Sequence, residues 1–535
     1  MHIPIGLYLL VVTAIVGFWA WMGTPLPMPP SPLSPGEKLH CASYAPFRGE
    51  QNPLDPATRV DEAQIEDDLA RLAKVTGCVR TYSVAHGLDR VAPVAARHGL
   101  KVLQGLWLSS DLAKNSWETE TAVALANRYR DTVDAVIVGN EVLLRGEMAA
   151  ADLAATIRRV KAQVSAPVTY AEVWEFWLRN RDVYEAVDFV TIHILPYWED
   201  FPIPHDRAVP HVEAIRRRLV ESFPGKEVFI GETGWPSAGR MRAGALPSLA
   251  NQARMLHDVL GAGRQGHYRI NVFEATDQPW KRWLEGTVGG HWGLFDAARR
   301  EPKFAWGAAV SNHPLWKSQC AGGLVLATLV FAAAWLARRP AAAQPASRWM
   351  TVATTAAVAG ALLGWTIEKT ALESLGIGGW TRGSALLALA IAAPLVGAVA
   401  LMRRTPVPSF AAVLRGTDRR PDGWVGFATG ISFVVLCALA AQVALGLVFD
   451  PRYRDFPFTA LTAGAWPFLL PGMAIREAGV HRGAAETVCA AVLGLSAVYI
   501  VLNEGWANWQ ALWFAATLVG LVIALLRPAG VPSSG

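Results

Sequence analysis

Residues 135–142 read Ala135-Val136-Ile137-Val138-Gly139-Asn140-Glu141-Val142, an apolar, β-branched run that breaks at a glycine and ends on two polar side chains. A short continuous apolar run suits a strand covered on both faces, which is the situation inside a parallel sheet. A second run, Glu227-Val228-Phe229-Ile230-Gly231-Glu232, has the same form and continues Thr233-Gly234-Trp235-Pro236-Ser237. Working outward, further candidate strands fall at 39–44, 78–82, 101–108, 168–171, 188–193 and 268–274. Between them lie amphipathic helical stretches such as 61–75, 117–130 and 151–164, apolar at i, i+3, i+4 spacing. Eight strand–helix repeats in about 270 residues predict an α/β domain over 38–313, a closed (β/α)8 TIM barrel. An open doubly wound sheet is the alternative, and it usually has fewer strands.

The ends of these strands carry the chemistry. Ser43 and Tyr44, Arg80 and Tyr82, Trp107, Asn140 and Glu141, Glu172, His193, Glu232 and Glu274 all stand where a strand stops, and a barrel of this kind builds its site at the strand C-termini. Strands four and seven face each other across such a barrel, so Glu141 and Glu232 can converge over its mouth. Cleaving a glycosidic bond needs one carboxylic acid to protonate the leaving oxygen and one carboxylate to attack the anomeric carbon. The competing reading is two surface salt-bridge partners, the commonest fate of a glutamate. Against it, each glutamate follows an apolar strand and is bracketed by Gly, Asn or Trp. Aromatic residues in or after strand ends (Trp107, Trp174, Phe176, Trp177, Tyr197, Trp198, Trp235, Trp280, Trp283, Trp292) suit the apolar faces of sugar rings, and about half are expected to be ordinary packing.

The pair Gly139-Asn140-Glu141-Val142 and Gly231-Glu232-Thr233-Gly234-Trp235-Pro236-Ser237 resembles glycoside hydrolase family 17, the β-1,3-glucanases and glucanosyltransferases. The likeness runs over 39–312. It includes Ser43-Tyr44-Ala45-Pro46-Phe47-Arg48, Arg80-Thr81-Tyr82, Pro196-Tyr197-Trp198 and Trp292-Gly293-Leu294-Phe295. It implies a retaining enzyme with Glu141 as acid/base, Glu232 as nucleophile and Asn140 on the sugar 2-hydroxyl. It further implies a sugar site built from Tyr44, Arg80, Tyr82, Glu172, His193, Tyr197, Trp235, Glu274, Trp280 and Lys281. The chain departs from plant members at His193 and Leu195, where those carry Asn and Tyr, and at neutral Gln278 and offset Glu285. With its flanking apolar segments it is similar to membrane-bound bacterial members of the rhizobial cyclic β-(1,3),(1,6)-glucan synthesis type. The expected activity is glucanosyl transfer, with endohydrolysis of β-1,3-glucan and attack on a β-1,4-linked glucan or mannan as alternatives. A non-catalytic glucan-binding sensor or secretion component is the alternative of another class.

The rest of the chain is of another composition. Residues 319–535 hold 15 Lys/Arg against 9 Asp/Glu, leaving 34 against 35 before them, so the net +5 belongs to the apolar half. That excludes a basic nucleic-acid binder and a disordered chain. A spanning helix needs about 20 mostly apolar residues. Eight stretches qualify: 3–22, 320–337, 350–367, 384–402, 424–449, 457–475, 485–502 and 510–526. The expected organisation is an uncleaved anchor at 1–23, a stiff proline-rich spacer at 24–37, the barrel at 38–313 and an all-α membrane domain of seven spans at 314–535. With the N-terminus inside, the inner loops carry eleven Arg and the outer ones Lys369, Arg382, Arg452 and Arg454. This predicts a multi-pass protein of the bacterial cytoplasmic membrane, with both termini cytoplasmic and the barrel outside.

No cofactor motif or metal-ligand spacing is present, so no cofactor and no metal are expected. Gly261-Ala262-Gly263-Arg264-Gln265-Gly266 follows a helix and precedes a strand, the reverse of a dinucleotide site, and reads as a turn. Cys41 and Cys78 fall on neighbouring strands. Buried free thiols are expected there, because parallel neighbours seldom offer disulfide geometry, and a bridge is the alternative. Expected partners are a β-glucan, membrane lipid, and a glucan synthase or export component, with no nucleic acid.

Overall fold

A computed structural model of the chain describes residues 2–338, 344–415, 423–470, 473 and 483–527. It divides into two compact units, Leu26–Val310 and a helical unit made of Met1–Pro25 with Ser311–Gly535.

The first unit is the closed barrel. Its strands are β1 (Cys41–Ser43), β2 (Cys78–Arg80), β3 (Lys101–Leu106), β4 (Val133–Asn140), β5 (Val168–Val173), β6 (Val190–His193), β7 (Val228–Thr233) and β8 (Ile270–Val272), each parallel to the next, with β8 closing on β1. Side-chain oxygens of Asp61, Asp111 and Ser248 cap the helices Glu62–Leu72, Leu112–Arg128 and Leu249–Gln265, which fixes where the chain turns from loop to helix. Apolar helix faces such as Ile65, Leu69 and Leu72 pack on the outward residues of the strands. Inside, Cys41, Cys78, Leu103, Ala135, Ile137, Ala171, Phe189 and Phe229 form a separate apolar cluster that floors the barrel.

Three local expectations are corrected. Cys41 and Cys78 form a disulfide: they are register partners at the start of β1 and β2, and their Cα atoms lie 4.3 Å apart. The proline-rich segment is no free spacer. Leu26 exchanges backbone hydrogen bonds with Val310 (2.8 and 2.9 Å), Arg254 donates to Pro27 O, Arg264 donates to Pro32 O, and Leu33 packs on the barrel core. Gly261 and Gly263 lie within the helix Leu249–Gln265 rather than in a turn after it, with Gly266 as its glycine cap before the strand, and Gly263 is buried where a Cβ would strike Ile270.

In the helical unit, seven helices among the described residues are long and apolar enough to cross a membrane: Ile3–Met22, Trp316–Ala337, Ala346–Glu373, Gly376–Arg403, Gly423–Phe449, Ala484–Glu504 and Trp509–Leu526. Close packing rests on small residues, since a Cβ on Gly323 would come within 2.1 Å of Gly360 O. The expected span at 457–475 differs. It is a twelve-residue helix, Phe458–Leu469, that turns extended at Leu470, one residue before Pro471; 471, 472, 474 and 475 lie outside the described residues. This helix is buried along most of its length. Its start packs on Trp509 and Trp513, and the carbonyls of Leu469 and Leu470 receive the Arg527 guanidinium, so it runs beside the whole of Trp509–Leu526.

Candidate active site

Two irregularities in the sheet aim the site. The β4–β5 register shifts between Ile137 and Asn140, where Gly139 has φ +88°. The β7–β8 register shifts between Ile230 and Thr233. Such bulges re-aim side chains, and here they sit directly under Asn140–Glu141 and Glu232. Glu141 itself takes a left-handed backbone (φ 51°), an uncommon state for a residue with a Cβ, and its N–H donates to Ala171 O (2.8 Å).

Seven side chains meet at this mouth. Arg80 Nη1 lies 2.5 Å from Glu232 Oε1, and its Nη2 lies 2.5 Å from Asn140 Oδ1. The Tyr82 hydroxyl is 2.8 Å from the same Glu232 oxygen and 3.0 Å from Ser43 Oγ. His193 places Nδ1 2.7 Å from Glu141 Oε1 and Nε2 3.6 Å from Glu232 Oε1. An oxygen of each glutamate and a nitrogen of His193 all fall within 4.8 Å of one another. The carboxylates differ in setting, with side-chain exposures of 23% for Glu141 and 5% for Glu232. Burial pushes the Glu232 carboxyl up, but the charges of His193 and Arg80 and the Tyr82 hydroxyl outweigh it and hold it below the usual range. The donor types would also suit a cation. Arg80 already brings the compensating charge, however, and one imidazole nitrogen is committed to Glu141.

A polar ledge beneath supports these groups. Asn271 Nδ2 donates to Ser43 Oγ (2.8 Å) and Gly231 O (2.6 Å). Beside it, Glu274 and Lys281 pair at 3.0 Å, and burial pushes the Glu274 carboxyl up to about 7 despite that lysine.

The other residues expected to line the sugar site have the following partners. Tyr44 is buried with its hydroxyl on Asp68 Oδ2 (3.0 Å), because strand alternation turns Ser43 inward and its neighbour outward. Glu172 is buried as a loop clasp: it accepts from the Tyr170 hydroxyl and from the N–H groups of Leu143, Leu144 and Val173, and burial raises its pKa. Tyr197 and Trp235 are buried, donating to Arg240 O and Leu246 O (both 3.0 Å). Trp280 is part-buried, donating to Gln278 Oε1 and packing edge-on against Phe47. Conversely, Arg145 was not among the expected residues. It stacks on Trp107 (4.1 Å) and donates to the carbonyls of Asn140 and Leu108 (3.0 and 2.7 Å). Its position four residues after Glu141, one helical turn along, is the only hint of it in the sequence.

A parallel eight-strand barrel with two glutamates converging at the ends of β4 and β7 defines a glycoside hydrolase. Residues 41–293 match the family described as the BtgE/BtgC glycoside hydrolase domain. The chain is similar to the glucan 1,3-β-glucosidase of Candida albicans, 25% identical over 267 residues that make up 45% of this chain and 86% of that protein. It is 26% identical over 256 residues to the enzyme of that name from Saccharomyces cerevisiae, with coverages of 44% and 82%. Among solved structures, the glycoside hydrolase family 17 β-1,3-glucanosyltransferase from Rhizomucor miehei is 27% identical, covering 50% of this chain and 95% of its own, with a TM-score of 0.44.

Proposed function

We propose that this chain is a membrane-anchored, retaining β-1,3-glucan-active enzyme that transfers the cleaved glucan to another glucan. The observation that carries the retaining reading is the approach of a Glu141 oxygen to within 4.8 Å of a Glu232 oxygen. Retaining pairs stand about 5–5.5 Å apart and inverting pairs about 6.5–9.5 Å, which leaves room for a water in the latter. Glu232, buried and kept ionised by Arg80 and Tyr82 through Oε1, attacks C1 with Oε2. Glu141, the more open of the two, protonates the departing oxygen and then takes the proton of the incoming hydroxyl. Asn140, pinned through Oδ1 by Arg80, presents its amide N–H to the 2-hydroxyl.

The names of the Candida and Saccharomyces relatives favour β-1,3-glucan as the substrate and hydrolysis as the competing outcome. The seven long apolar helices support membrane anchoring. The arginine-rich loops at 338–348, 403–420, 476–482 and 527 favour those faces as cytoplasmic, which leaves the barrel outside. A disulfide in the barrel suits that oxidising side of a cytoplasmic membrane.

The test is to incubate the detergent-solubilised full chain with short β-1,3-gluco-oligosaccharides and follow product length. Products longer than the donor are expected, and Glu232→Gln is expected to lose turnover. Only shorter products at every acceptor concentration reject transfer, and full turnover by Glu232→Gln rejects the assignment of the nucleophile.

A further inference from the structure

At the mouth, the His193 side chain is buried more deeply than either glutamate. It ends β6, it is the register partner of Glu232 across β6–β7, and its side chain is 1% exposed. Nδ1 is committed to Glu141 at 2.7 Å, whereas Nε2 is buried without a hydrogen-bond partner and faces Glu232 at 3.6 Å, beyond hydrogen-bond length. A residue that bound sugar through its ring would present a nitrogen to the cleft. This ring spends one nitrogen on Glu141 and turns the other toward Glu232.

We propose that His193 is a positioning residue for Glu141 rather than a sugar ligand: Nδ1–H fixes the carboxyl where it can hand its proton to the leaving oxygen. The proposal rests on the reading of Glu141 as acid/base. In the first half-reaction the Glu141 proton passes to the leaving oxygen as the C1–O bond breaks and a bond from Glu232 to C1 forms. In the second, the acceptor hydroxyl gives its proton to Glu141 as its oxygen bonds C1 and the ester to Glu232 breaks. His193 gains and loses no proton over the cycle. It acts by holding the carboxyl in place through the 2.7 Å Nδ1 contact.

The charged and titratable groups around the ring are Glu141 from β4 and Glu232 from β7, with Arg80 and Tyr82 from β2 bound to Glu232. Beyond them, Glu172 from β5 and Arg145 act on Glu141, and the Lys281–Glu274 pair acts on Glu232. Of all these, only Glu141 is within hydrogen-bond length of the ring.

The experiment uses the full chain with His193→Asn and His193→Ala. The Asn amide nitrogen occupies the place of Nδ1, so the first variant keeps a donor for Glu141. With β-1,3-gluco-oligosaccharides, it is expected to keep kcat within about 10-fold of the natural chain at unchanged Tm. His193→Ala removes the donor as well. It is expected to lose oligosaccharide turnover while retaining the first step on a dinitrophenyl β-laminaribioside, whose leaving group needs no proton. A loss of oligosaccharide turnover in His193→Asn as complete as in His193→Ala overturns the proposal, as does equal loss on both substrates in His193→Ala. Glu141→Gln in the same series separates the two ideas, because full oligosaccharide turnover by that variant removes the acid/base reading itself.

Discussion

Arg80 holds Glu232 and Asn140 at once, with Nη1 2.5 Å from the carboxylate and Nη2 2.5 Å from the amide oxygen. One planar guanidinium thereby sets the spacing between the end of β4 and the end of β7, and it is itself buried. An ammonium group cannot reproduce this fork, since it offers a single charged point in place of two directed donors.

Arg80→Lys is therefore expected to lower kcat/KM on β-1,3-gluco-oligosaccharides by about 10²–10³-fold. Arg80→Met goes further, because it leaves Glu232 buried without its cation and the burial that pushes this carboxyl up is no longer outweighed. The acid limb of the pH profile, where Glu232 takes a proton, should then move to higher pH. The unfolding free energy should fall by about 3–5 kcal/mol. Steady-state kinetics from pH 4 to 8 and denaturant unfolding check both; an unmoved acid limb would show that Arg80 does not govern Glu232.

Glu274 carries a stability prediction. Burial raises its folded pKa to about 7, above the ordinary glutamate value of 4.5. The folded state therefore favours the protonated form, and the stability from this group is fully present below pH 4.5 and lost as pH rises through 7. Integrated over that window the effect is at most about 3 kcal/mol. In Glu274→Gln the fall in Tm between pH 5 and 8 should be shallower than in the natural chain. A parallel fall in both would mean that Lys281 keeps Glu274 ionised throughout.

The legible part of this site was the part that strand patterning exposes. Glu141 and Glu232 each stand after an apolar run, where nothing but a barrel mouth explains a carboxylate, and the count of such runs gave the closed sheet. Tyr44 shows the limit: at a strand end one residue of register exchanges inside for outside, so Ser43 took the place expected for its neighbour. Cys41 and Cys78 look like any buried pair until register sets them opposite each other. The stretch 457–475 reads as a span by hydropathy alone, whereas the helix within it, Phe458–Leu469, has only twelve residues and packs on the last helix. Arg145 left no pattern because its partners, Trp107 and Leu108, lie 38 and 37 residues away on another strand end.

Arg145 supplies the last prediction. Its guanidinium accounts for the carbonyl of Asn140 by two contacts, 3.2 and 3.0 Å, and for Leu108 O by a third at 2.7 Å, while its plane lies on Trp107. Glu147 pairs with its remaining nitrogen at 3.0 Å. The backbone it clamps is the peptide that leads into Glu141, whose left-handed conformation needs outside support. Arg145→Lys can keep the charge near Glu147 but not the two carbonyls and the stacking together. The loss should appear in kcat, about 10-fold or more, because a carboxyl displaced by a fraction of an ångström still lets substrate bind but protonates the leaving oxygen poorly. KM should change little, and the first step on a dinitrophenyl β-laminaribioside, whose leaving group needs no such proton, should proceed at nearly the natural rate. A rise in KM with kcat unchanged would instead assign Arg145 and Trp107 to sugar binding.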